Sequence, residues 1–226
     1  MIRPGPRGGK RRRWINRILG AALLLLASPL VAPQLLAFPY QAKVGAHRVY
    51  SEQPIHPRVE SIVAGADAKV LADPLGKAPP LDQAIFLTDG GWRWRWLAVS
   101  AADAFALSRP IGEPVIINHA DPARDTMTNA YGARRRLTDI VAHELTHGAI
   151  RAEFGTLRSL FMSKELVEGY ADHVAGSSAL TDAEARQLIA TRMTRPALAY
   201  WTGRKKVEAR LAANGGDVHK LFEEWR

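Results

Sequence analysis

The order of local signals predicts an α+β fold, with a small N-terminal sheet packed on a central helix and a helical C-terminal half. Two observations carry it. Short apolar runs bounded by Gly, Pro and Asp fall between residues 84 and 120, where they read as strands and turns. From residue 137 onward, apolar residues recur at helical spacing between recognisable caps and stops. Sheet first and helices after is the α+β order. With 226 residues and 47% hydrophobic composition, the chain can build one ordinary core, so one folded domain is expected.

The N-terminus reads as an address. Seven of the 31 Lys and Arg residues lie within residues 1–17, with none of the 22 Asp and Glu; the 24 that remain exceed the acidic residues by two. The formal charge of +9 therefore belongs to a basic tail, and no nucleic-acid partner is expected. Residues 18–38 carry no charge and are numerous enough to cross a bilayer as a helix, although Pro29, Pro33 and Gln34 weaken the second half. By the positive-inside tendency the tail stays cytoplasmic and the rest lies outside. The expectation is a single-pass membrane anchor over residues 18–38, the alternative being export after signal cleavage. Leu30 and Leu35 stand where a cleavage site before residue 33 or 38 needs a small residue, and Arg11-Arg12-Arg13 only faintly resembles a twin-arginine signal. The absence of cysteine removes disulfides, thiolate catalysis and Cys-based metal sites.

Residues 39–60, with Pro39, Pro54 and Pro57 among polar residues, read as a tether, leaving 61–226 as the domain. Asp89-Gly90-Gly91 reads as a hairpin turn between strands at 84–88 and 92–99. As a strand, residues 92–96 would turn three Trp to one face, toward the core, and two Arg to the other. Residues 114–120 are a further strand. Leu137, Ile140, Val141, Leu145 and Ala149 then mark a helix over 137–154, with Thr138 as N-cap, Asp139 suiting the dipole and Gly155 as the stop. Helices follow at 164–175, after the capping box Thr181-Asp182-Ala183-Glu184, at 204–213 and at 218–225.

His143-Glu144-Leu145-Thr146-His147 is an HExxH sequence within the 137–154 helix. Positions i and i+4 share a helix face, so both imidazoles can reach one metal ion. Glu144 projects about 100° further round, beside the metal, where a carboxylate can take a proton from a bound water. Leu145 and Val141 supply core residues on another arc, so the helix does not need its histidines for packing. A catalytic zinc site takes three protein ligands and keeps a fourth position open. Glu168, on the next helix, is the candidate third ligand. Asp172, one turn beyond it, can accept a hydrogen bond from a ligand histidine.

His143-Glu144-x-x-His147 followed by Glu168-Gly169-x-Ala171-Asp172 resembles the gluzincin peptidases, the thermolysin-like group, over roughly residues 114–175. The resemblance implies a zincin-like fold with Zn²⁺ held by His143, His147 and Glu168, Glu144 as the general base and Asp172 as the group that orients a ligand. It implies hydrolysis of peptide bonds in a peptide or protein substrate by a zinc-bound water. It also implies an oxyanion stabiliser, for which Tyr170, Tyr200 and His219 are candidates, and an edge strand that pairs with substrate, placed here at 115–118. The alternative function is a catalytically inactive, membrane-tethered binding or assembly protein; retention of Glu144 distinguishes the two, since structural zinc needs no base. Arg134-Arg135-Arg136 reads as a solvated basic loop.

Overall fold

The structure, a computed structural model, describes residues 8–77, 82–99 and 101–225; residues 1–7 of the basic tail lie outside it. It is a mixed α and β fold. The main sheet contains β1 (Tyr40–Val44), β2 (His47–Ser51), β3 (Ile85–Leu87), β4 (Ala106–Ser108) and β5 (Val115–Ile117), in the order β1-β2-β3-β5-β4. β1 and β2 form an antiparallel hairpin, β2, β3 and β5 run parallel, and β4 returns antiparallel to β5. Residues 40–51 are therefore part of the sheet, not a tether. Val49, inside β2 and fully buried, shows why: its strand lies against β3 in the middle of the core.

Parallel neighbours need a crossover, and this decides the fate of residues 92–99. α3 (Trp92–Ala98) is a helix capped at Gly91, not the second arm of a hairpin. It carries the chain out of the sheet between β3 and β5. Trp94, Leu97 and Ala98 are buried at helical spacing, while Trp92 and Trp96 are exposed. The three tryptophans do not share a face.

In β3 and β5 the side chains alternate between two apolar layers. Ile85, Leu87, Val115 and Ile117 join the core shared with α2 (Arg58–Ala72) and the C-terminal helices, whereas Phe86 and Ile116 join Trp94 and Leu97 on the other face. Leu36 and Phe38 also cover that second face, Phe38 lying 5.1 Å from the Phe86 ring. The apolar run 18–38 is thus not one helix. α1 (Gly8–Ala27) ends before Pro29, and short 3-10 turns at Ser28–Leu30 and Pro33–Leu36 contain the buried Pro29 and Pro33. Arg93 of α3 donates to the carbonyls of Leu36 at 2.8 Å and Ala37 at 2.9 Å. Among the described residues no helix is long and apolar enough to cross a membrane. α2 begins inside the expected tether and runs across its boundary at residue 60, with Val59, Ile62, Val63, Ala66 and Val70 buried at helical spacing.

A small antiparallel sheet of β6 (Ala120–Asp121), β7 (Thr126–Thr128) and β8 (Arg134–Arg136) leads into α4 (Leu137–Phe154). There follow α5 (Thr156–Leu160), α6 (Lys164–Ala175), α7 (Asp182–Ala190), α8 (Pro196–Ala213) and α9 (Val218–Glu224). The ends of α4 and α6 and the capping box of α7 fall where the sequence places them. α8 begins earlier than expected, with Pro196 in its first turn. The cap of α4 differs too: Thr138 lies inside the helix, and Asp125 accepts from its backbone N at 2.9 Å and its hydroxyl at 2.8 Å. First-turn N–H groups lack helical partners, and here a loop carboxylate supplies one.

Candidate metal centre

α4 is buried on nearly every side, between α2, α6 and the two sheets. One arc of it carries His143 and His147, and α6 returns alongside with Glu168 facing them. Among the described residues His143, His147 and Glu168 are the group whose ligand atoms converge, all within 4.8 Å of one another. The two Nε2 atoms are 3.2 Å apart, and Glu168 Oε2 lies 3.2 Å from His143 Nε2 and 3.7 Å from His147 Nε2. Ligand atoms around a tetrahedral ion with bonds of about 2.0–2.1 Å stand roughly 3.3 Å apart. The cluster fits a metal ion.

Asp172, fully buried, lies 2.9 Å from His143 Nδ1. That bond fixes the ring so that Nε2 faces Glu168 and His147. Asp172 in turn accepts from Ser178 Oγ at 2.7 Å and from Arg135 Nη2 at 3.1 Å. The same Arg135 nitrogen donates to the carbonyl and hydroxyl of Ser177, both at 3.2 Å. Arg135 is therefore no solvated loop residue. It is the middle residue of β8, its side chain only 8% exposed, while Arg134 and Arg136 are exposed and Arg136 pairs with Asp125 at 2.6 Å. Strand alternation separates the middle arginine from its neighbours, but three identical side chains give no sign of which face is buried.

The charges are arranged for coordination. Burial works against protonation of His143, but the Asp172 and Glu168 carboxylates outweigh it and raise its pKa to about 10. Burial lowers His147 to about 4, leaving its ring neutral. For Glu168, burial favours the acid, yet the two histidines bring it down to about 2. Burial likewise opposes ionisation of Asp172, and His143 and Arg135 hold it well below the usual carboxylate range. A proton on His143 Nε2 thus occupies the place a metal would take, so loading releases it. Glu144 differs from both acids. Burial pushes it up to about 7, with the His143 charge opposing, Glu168 adding to the rise and Ser108 at the end of β4 favouring the ionised form. A carboxyl poised there can both take and return a proton near neutral pH.

Of the three oxyanion candidates, the structure places one near the site. Burial, then the charges of Glu168, Glu144 and Asp172, raise the pKa of Tyr200, so its hydroxyl on α8 lies within their field and stays protonated. Tyr170 donates to Asp73 Oδ1 at 2.6 Å, away from the ligands. His219, largely exposed, lies 3.6 Å from Glu153 and packs on Phe154 beyond the far end of α4. The edge strand is also reassigned: 115–117 is internal, between β3 and β4, and the outer strand beside α4 and Glu144 is β4. No protein-family model, curated protein or solved structure matches the chain.

Asp172→Asn is expected to weaken metal binding roughly 10 to 100-fold, as is usual when the partner of a ligand histidine is lost. Competition against a chromophoric chelator measures it. Unchanged affinity would show that His143 needs no orientation from Asp172.

Proposed function

We propose that the protein is a zinc-dependent peptidase with His143, His147 and Glu168 as ligands and Glu144 as general base, in a zincin-like fold. One observation carries the reading: beside three converging ligands stands a buried carboxyl, Glu144, that ligates nothing and is held near neutrality. A structural metal has no use for such a group. Bound zinc would polarise the scissile carbonyl and make water a nucleophile near neutral pH. Glu144 takes the proton of the attacking water and returns it to the leaving amine. Tyr200 donates to the carbonyl oxygen as its charge grows. The outer edge of β4 offers main-chain hydrogen bonds to an extended peptide laid beside Glu144. A cavity of about 410 Å³ lies among Lys43, His47 and Tyr50, away from His143, His147 and Glu168.

Membrane attachment is proposed through α1. Its apolar half, residues 18–27, exposes Ile18, Leu19 and four consecutive leucines from Leu23 to Leu26. At 1.5 Å per residue this half is about 15 Å long, half of a bilayer core of about 30 Å.

The test is metal content of the full chain, purified in detergent, together with cleavage of an unbiased peptide library. About one zinc per chain and chelator-sensitive cleavage are expected. Zinc without any cleavage, in detergent and in vesicles alike, would instead favour a binding or assembly protein on a peptidase-like frame.

A further inference from the structure

The C-terminal end of α4 leads into an unusual surface. Leu157 is 76% exposed, Leu160 59% and Phe161 88%, in consecutive turns of the short connection between α4 and α6. Residues 154–164 hold Arg158 and Lys164 and no acidic residue. Large side chains this exposed on one short segment mark a contact surface, and their basic flank selects an anionic one.

A chain of contacts joins this segment to the place where α1 leaves the domain. Val31, just beyond α1, sets its carbonyl against Gly112, where an added Cβ would meet it at 2.9 Å. The next residue, Glu113, accepts from Arg151 Nε at 3.1 Å. Arg151 stands in the last turn of α4, immediately before the exposed segment. Ile111, 63% exposed, immediately precedes Gly112. These contacts link the segment that follows α1 to the last turn of α4, which leads into residues 157–161.

We propose that this end is seated on a lipid surface: Ile111, Leu157, Leu160 and Phe161 enter the interface of an anionic bilayer, with Arg158 and Lys164 on its headgroups, beside the inserted α1. The proposal rests on membrane attachment through α1 and extends it from a helix to a face of the domain. It also supplies what α1 lacks, because a ten-residue apolar stretch enters a bilayer without crossing it. The domain then lies against the membrane with its metal centre at a set height, open to substrates at the lipid surface.

The chain contains no cysteine, so full-length Leu24→Cys, Phe161→Cys and Tyr131→Cys variants each carry one environment-sensitive fluorophore. Tyr131 is exposed in the turn before β8, at the opposite end of α4. On vesicles of phosphatidylcholine and phosphatidylglycerol with nitroxide-bearing lipid, labels at 24 and 161 should shift to the blue and lose intensity, while that at 131 should not. A label at 161 that behaves like the one at 131 while that at 24 is quenched overturns the inference and leaves attachment through α1 standing. If neither 24 nor 161 responds, the attachment itself fails. A shift at 161 that grows with protein concentration without vesicles would assign this face to a second copy of the chain. An equal response on pure phosphatidylcholine would remove the role of Arg158 and Lys164.

Discussion

Glu144→Gln should fold and load zinc as the unaltered protein does and lose about 10² to 10⁴-fold in peptide hydrolysis, the usual worth of general-base assistance. Gln preserves the volume of a side chain that is only 6% exposed, so packing around α4 is unchanged. It removes the one nearby carboxyl that neither ligates nor pairs with a cation. His143→Ala, His147→Ala and Glu168→Ala should instead abolish tight metal binding, since each takes away one of three converging ligand atoms. Chemistry and coordination are thereby separated. The contrast is read from zinc content by atomic emission and turnover on any cleaved peptide. Full turnover by Glu144→Gln would rule out Glu144 as the base; loss of metal from that variant would make Glu144 a ligand.

The largest effect on stability is expected at Gly169. This residue follows Glu168, but its own role is to let α6 and α8 cross at backbone distance: a Cβ there would stand 2.4 Å from the Gly203 carbonyl carbon. Gly203 meets the Glu165 carbonyl oxygen at 2.6 Å in the same way. In an open helix, replacing Gly by Ala stabilises by roughly 0.5–1 kcal/mol. Here the clash is with backbone, which has no rotamer to relieve it, so separation of the helices outweighs that gain. Overpacking costs about 1–3 kcal/mol, and Gly169→Val should reach the upper end. At about 2–4 °C per kcal/mol for a domain of this size, the thermal midpoint falls by roughly 6–12 °C. Metal affinity should fall with it, because Glu168 rides on the displaced helix. A variant melting at the original temperature would mean that the helices do not cross this closely.

Which parts of this arrangement are legible in the sequence follows from the range of the forces involved. The position of α4 is encoded in local apolar spacing and a glycine stop, and α6 is equally local. Asp172 lies one turn from Glu168 and so shares its face. The same periodicity speaks against Tyr170, which sits about 200° round the helix from Glu168; in the structure it is bonded to Asp73. Tyr200 carries no such signal. It comes within the field of the site's carboxylates only because α8 packs across α6, where Gly203, one turn from Tyr200, meets Glu165 and Gly169 on a helix distant in sequence. Residues 92–99 mislead for a related reason. Trp-Arg alternation suits a strand locally, but a parallel sheet demands an excursion between β3 and β5, and that demand comes from strands far away in sequence.

By itself, then, the sequence determined the HExxH helix, the histidine pair on its face, Glu168 and Asp172 one turn apart on the next helix, and the uncharged run that leads into the domain. Each depends on residues within a turn or two of one another, where backbone geometry alone sets direction. Tertiary structure decided which of three arginines supports Asp172, which tyrosine comes within the field of the site's carboxylates, which strand is left as the edge, and that residues 28–38 cover the sheet instead of extending α1. These outcomes turn on which surfaces meet, and burial of a surface is a property of its partner as much as of its own residues.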